Sequence, residues 1–173
     1  MQKLTRDLDG IEAVFLDLDG TIYMGDNLIE GAVNFLNRIE ERGIRRFFLS
    51  NNSSKSVKQY LSKLENLGVP AKEEDILLST HDLLAWLSSN NISETYLVGT
   101  VGMKEMLESA GVNTSSNDPQ YVVLGYDTEI TYQKLTQASI NLHKGVPCCQ
   151  SSRYGLPLTK WWLTRYWSIS CIV

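Results

Sequence analysis

The spacing of apolar residues changes repeatedly along this chain, and each change marks a predicted element. "AVFLDL" (13–18) is a continuous apolar run of β-favouring residues, which predicts a strand buried on both faces. In "GAVNFLNRIEERG", Ala32, Phe35, Leu36 and Ile39 recur at helical spacing and Gly43 is a stop signal. "IRRFFLS" reads as a second strand. "SVKQYLSKLENLG" then puts Val57, Tyr60, Leu61, Leu64 and Leu67 on one helical face and ends at Gly68. The alternation continues through "DILLS" and "HDLLAWLSS", "TYLVGT" and "GMKEMLESAG", and "YVVLGYD" and "TYQKLTQASINLHKG". Strands alternating with helices across short connections predict an α/β fold, with parallel sheet covered by helices. The polar "SSNN" before Ile92 separates two sets of these units, so residues 1–80 are expected to begin one domain and the rest to build a second α/β unit.

Composition changes this picture little. The 173 residues carry a net charge of -4 and a pI near 5.2, which argues against nucleic acid or an anionic membrane as the main partner. No apolar run approaches the roughly 20 residues of a membrane helix. The opening "MQKLTRDLDG" has no signal-peptide core, so a cytoplasmic location is expected. Cys148, Cys149 and Cys171 show neither disulfide nor zinc spacing. No feature sets an oligomeric state.

Chemistry enters at the end of the first run. Residues two apart on a strand face the same side, so Asp17 and Asp19 are expected to project together where Gly20 turns the chain. Two carboxylates this close need a cation or a shared proton. A hard divalent ion such as Mg²⁺ suits oxygen ligands. One carboxylate can then attack phosphorus while the other moves protons. The second strand ends in "FFLSNNSSKS": Ser50 offers a hydroxyl, and Asn51, Asn52, Ser53 and Ser54 lead into a helix whose free N–H groups favour a phosphate. Lys55 reads as solvated, the Gly99 and Gly102 pair as a turn, and His81 and His143 as helix-surface residues. Asp127 is either a substrate-facing residue or a turn residue before a helix.

"DLDGTIYMGD" followed by "FFLSNNSSKS" resembles the first two motifs of the haloacid dehalogenase superfamily. The likeness is closer to its members with a large α/β cap inserted after the second motif, the p-nitrophenylphosphatase-like and ribonucleotide-monophosphatase-like enzymes. It spans residues 11 to 147. The resemblance implies a Rossmann-like parallel-sheet core, here incomplete (1–80), with the first part of a cap (81–147). It implies a phosphomonoester hydrolase acting on a small phosphorylated metabolite through an aspartyl-phosphate, with Asp17 as nucleophile and Asp19 as general acid/base. Asp17 and Asp19, the latter through its backbone carbonyl, would hold Mg²⁺. Ser50 would bind the phosphoryl group and Asn51 position the substrate, with Gly20, Thr21 and Asn52 completing the phosphate and substrate contacts.

The family's lysine and its later acidic cluster have no counterpart in this chain, so activity is expected to be impaired. The strand bearing Asp17 is also expected to keep an open edge. After "HKGVP" the strand-helix pattern is expected to stop, and 148–173 gathers all three cysteines and three of the four tryptophans. Read one nucleotide later, the codons permit "VASHPDMVCPSPNGGLPDTG", which resembles the family's cap. A frameshift near Pro147 is therefore the expectation for the tail. Two rival classes are a signalling receiver domain and a non-catalytic phosphate- or Mg²⁺-binding remnant. A receiver places its acidic pair and its phosphorylated Asp on different strands, whereas both carboxylates here flank Leu18.

Overall fold

A computed structural model of the chain describes residues 10–151 and the backbone of Ser170–Ile172. Its first sheet holds β1 (Ala13–Asp17), β4 (Arg45–Ser50) and β5 (Ile76–Leu78), all parallel in the order β1-β4-β5. Between β1 and β4 run a small hairpin, β2 (Tyr23–Met24) and β3 (Asn27–Leu28), and helix α1 (Ala32–Glu41). Helix α2 (Val57–Asn66) joins β4 to β5 through a 3-10 turn at Glu73–Asp75. The second sheet has the order β6-β7-β8-β9: β6 (Thr95–Val98), β7 (Tyr121–Leu124) and β8 (Cys148–Gln150) are parallel, and β9 (Ser170–Ile172) runs antiparallel to β8. Helices α3 (Ser79–Ser89), α4 (Val101–Ser109) and α5 (Tyr132–His143) complete it. Among the described residues no helix is long and apolar enough to cross a membrane.

The periodic residues explain the packing. Ala32, Leu36 and Ile39 of α1 and Val57, Tyr60 and Leu64 of α2 are buried, and the larger of them join Leu18, Phe48, Ile76 and Leu78 in one core. Fully burying one such aliphatic or aromatic side chain stabilises by about 1.5–3 kcal/mol. Ser56 caps α2: its Oγ accepts the Gln59 N–H at 3.4 Å, while Gln59 Oε1 accepts the Ser56 N–H at 2.8 Å. Leu83 and Leu87 of α3 pack instead with Leu97, Met103, Leu107 and Val123. The switch of core therefore falls at the β5–α3 junction.

Two expectations need correction. The first strand is not buried on both faces: α1 and α2 pack on the same side of the sheet, and Phe15 on the other side is 59% exposed. Phe15 stacks on Phe47 at 5.1 Å between ring centroids, and the Arg45 guanidinium sits 4.9 Å from the Phe47 centroid. Among the described residues β1 pairs with β4 alone, which leaves its other edge open. Second, the pattern does not stop at Pro147. Cys148–Gln150 extends the sheet beside β7, and Cys149 packs fully buried in the core with Val123. Short β-competent residues after a turn are enough to add a strand. The stretch 152–169, on which the frameshift reading largely rests, lies outside the described residues.

Candidate active site

β1 ends at Asp17, and the next residue, Leu18, turns wholly into the core. Asp17 and Asp19 thus stand on either side of a buried anchor with their own side chains exposed. The turn is tight: the Leu18 carbonyl accepts N–H bonds from Thr21, Ile22 and Tyr23 at 3.0–3.3 Å. Gly20 adopts φ +84° and donates to the Tyr23 carbonyl at 2.8 Å. A side chain at that φ would be strained, so the Asp-Gly step is set by backbone geometry. Thr21 is exposed on the same turn.

Register brings the second motif alongside. Asp17 pairs with Leu49, so Ser50 lies at the adjacent strand tip, one residue further on. The Ser50 hydroxyl is buried, 2.8 Å from the Tyr60 hydroxyl, and accepts the Asn52 N–H at 3.2 Å. Asn52 Oδ1 accepts the Ser54 N–H at 2.9 Å, which folds the loop back on itself. The Asn51 side chain is exposed, and its carbonyl accepts the Ser79 hydroxyl at 3.3 Å. These bonds hold the polar loop in one shape above the first strand tip.

Two tyrosines lie beneath. Tyr23 is fully buried and its hydroxyl lies 3.5 Å from Asp19 Oδ2, at the outer limit of a hydrogen bond. Burial, reinforced by the Asp19 charge, pushes the Tyr23 phenol well above its ordinary value, so it stays protonated as a donor. Lys63 Nζ lies 3.9 Å from the Tyr23 ring centroid, and Lys55 Nζ 5.6 Å from that of Tyr60. Lys55 is therefore half-buried against an aromatic face rather than solvated. Burial, with the nearby Lys63 charge, lowers its ammonium below the usual lysine range, partly opposed by Asp19 and Asp26.

The other singled-out residues are structural. Asp127 has a side chain only 2% exposed, and its Oδ2 accepts Lys134 Nζ at 2.9 Å. The same ammonium donates to the Gly99 carbonyl at 2.8 Å and the Glu129 carbonyl at 3.1 Å. All three Lys134 protons are thereby used to tie the β6–α4 turn to the β7–α5 loop. Lys134, in the first turn of α5, is invisible to motif reading. His81 is half-buried, not on the surface: its Nδ1 accepts the Leu78 N–H at 3.1 Å and caps α3. His143 is exposed, with Nδ1 2.9 Å from the Ser139 carbonyl.

The oxygen donors on this turn suit a hard divalent cation. Two carboxylates are available at the strand tip, and among the described residues no group of three or more His, Cys, Asp and Glu forms a fuller cage.

The chain as a whole has relatives among known proteins. The profile of the haloacid dehalogenase-like hydrolases fits residues 14–113, and the chain belongs to that family. It is 32% identical over 136 residues to the acid sugar phosphatase of Staphylococcus aureus (strain USA300), covering 78% of this chain and 52% of that one. The 4-nitrophenylphosphatase of Thermotoga maritima superposes with a TM-score of 0.78 at 34% identity, over 83% of this chain and 56% of its own. A glycerol phosphate phosphatase from Mycobacterium tuberculosis, solved in complex with magnesium, gives 0.71 at 26% identity, over 79% and 42%. The chain thus spans about half the length of the relatives it matches.

Proposed function

We propose that this chain carries the nucleophile half of a Mg²⁺-dependent phosphomonoester hydrolase acting on a small phosphorylated metabolite. The observation that supports it best is the pair of exposed carboxylates flanking buried Leu18, one strand away from Ser50. In this reading Asp17 attacks phosphorus and the ester P–O bond breaks. Asp19 gives its proton to the leaving oxygen, then takes one from the water that attacks the aspartyl-phosphate; inorganic phosphate leaves and Asp17 is restored. Ser50, Asn51 and Asn52, with Gly20 and Thr21, bind and orient the phosphate end. The Asp17 carboxylate and the Asp19 backbone carbonyl would hold Mg²⁺, whose chemistry is to offset charge on the phosphoryl oxygens. Residues 1–80 are read as the beginning of the core domain and 81–147 as the first part of its cap.

Beryllofluoride, which mimics a phosphoryl group on aspartate, tests the assignment without needing turnover. A Mg²⁺-dependent bound ¹⁹F signal is expected from the chain and not from Asp17→Asn. A signal that survives the substitution, or none from either protein, would overturn the reading.

The two-carboxylate donor set supports a second reading, a non-catalytic phosphate- and Mg²⁺-binding remnant. Hydrolysis of p-nitrophenyl phosphate separates them. Turnover lost in Asp17→Asn marks the enzyme, and beryllofluoride binding without turnover marks the remnant.

A further inference from the structure

Two lysines of the first domain sit where a cation is expensive to keep. Lys55 and Lys63 are both half-buried, and each lies over the ring of a fully buried tyrosine, Tyr60 and Tyr23. The geometry repeats beyond the rings. The Tyr60 hydroxyl is 2.8 Å from Ser50 Oγ, and the Tyr23 hydroxyl is 3.5 Å from Asp19 Oδ2. Each ammonium is thus one aromatic ring away from a residue of the candidate phosphoryl site.

The charges are not balanced internally. Among the described residues Lys55 has no carboxylate within ion-pair distance, and Lys63 reaches only Asp26, at 4.0 Å, whose side chain is fully exposed. An ion pair that open to solvent contributes little. Burial, with the nearby Lys63 charge, disfavours the charged form of Lys55. Ordinary surface lysines separate and hydrate. Here two lysines instead lie over aromatic faces, one in the polar loop after β4 and one on the helix that follows it. Lys63 also lines an open groove of about 520 Å³ with Asp26, Lys58 and Gln59, which Lys55, Ser50 and Asp19 do not line.

We propose that Lys55 and Lys63 form an oxyanion-binding pair that takes the dianionic phosphate of a phosphomonoester, adjoining Ser50 and Asp19. The pair supplies, from the second motif and the helix that follows it, cationic charge that two carboxylates and a hydroxyl cannot. This rests on the phosphoryl-site reading above and adds the residues that neutralise the ligand.

The test uses the chain as it stands, with inorganic phosphate as the probe in Mg²⁺ buffer, followed by calorimetry at matched ionic strength. Lys55→Met and Lys63→Met should each weaken phosphate binding by about 10-fold or more, as expected for loss of a hydrogen bond to a charged group. Ser50→Ala should weaken it as well. The Lys55 Nζ resonance should titrate at higher pH with phosphate bound than without, a shift that a merely structural lysine would not show. If Ser50→Ala weakens binding and both lysine variants bind as the parent does, the proposal is overturned and the phosphoryl-site reading stands. If the lysine variants lose affinity and Ser50→Ala does not, the anion pair stands and the phosphoryl-site reading falls. An absence of phosphate binding by the parent chain overturns both. Thermal melts of Lys55→Met and Lys63→Met within a degree or two of the parent would exclude misfolding as the cause of any loss.

Discussion

Ser53 Oγ accepts the backbone N–H of Tyr126 at 2.8 Å, and this bond crosses from the loop after β4 to the end of β7. Ser53 is fully buried. A second bond runs parallel to it: the Thr100 hydroxyl donates to the Ser54 carbonyl at 2.7 Å. The candidate phosphate loop is therefore held by the second sheet as well as by its own strand. Ser53→Ala would remove the bond to Tyr126, at a cost of about 0.5–1.5 kcal/mol. Urea denaturation should show the midpoint falling at unchanged slope, and a midpoint equal to the parent's would contradict the cross-sheet bond.

Glycine at 102 is demanded by contact, not by backbone angle. A Cβ there would lie 2.4 Å from Gln59 Oε1 and 2.9 Å from the Ser56 amide nitrogen. Those two atoms form the cap of α2, so Gly102→Ala would press α4 against the start of the helix that follows the phosphate loop. Overpacking of this kind costs about 1–3 kcal/mol. A clear fall in thermal midpoint is expected, with partial recovery when Gln59 is shortened in Gly102→Ala/Gln59→Ala. Full stability of the single variant would show that the two helices stand further apart.

Lys134→Met leaves the Asp127 carboxylate buried without its cation. Removing one partner of a buried pair costs about 3–5 kcal/mol, and the 27% exposure of the Lys134 side chain places this case at the lower end. Asp127→Asn in the same chain should restore part of the loss, because the residual penalty belongs to the stranded charge. A double variant no more stable than Lys134→Met alone would argue that the ammonium matters for its carbonyl bonds instead.

His81 gives the chain a pH dependence. Burial lowers the imidazole below its usual range, with Glu73 pulling weakly the other way. Its Nδ1 must be unprotonated to accept the Leu78 N–H. The folded value lies below the unfolded value of about 6.5, so this contribution is complete above that pH and is lost as pH falls through the folded value. Stability should therefore drop between neutral and mildly acidic pH more steeply in the parent than in His81→Asn. Parallel pH profiles for the two proteins would rule out the cap.

Much of this was legible in the order of residues. The period of α1, α2 and α5, and the short apolar runs of β4, β6 and β7, placed those elements because burial on one face dictates spacing. Asp17, Asp19 and Ser50 could be placed at neighbouring strand tips because a strand's end fixes where its side chains point. Other features could not be read that way. The exposure of Phe15 depends on which side α1 and α2 choose, and that choice is tertiary. The β2–β3 hairpin is too short to carry a period. Lys55 reads as a solvated lysine until the aromatic ring it meets is known, and Lys134 draws no notice until its buried carboxylate is known.

The bare side of the first sheet has a kinetic meaning. Phe15 and Phe47 lie stacked on a face that no described helix covers, next to a strand edge with no partner among the described residues. Folding is first order in the chain, whereas the meeting of two such faces is second order. The balance between them therefore shifts with concentration alone: dilution favours the isolated molecule, and each increase in concentration shortens the time available before two faces meet.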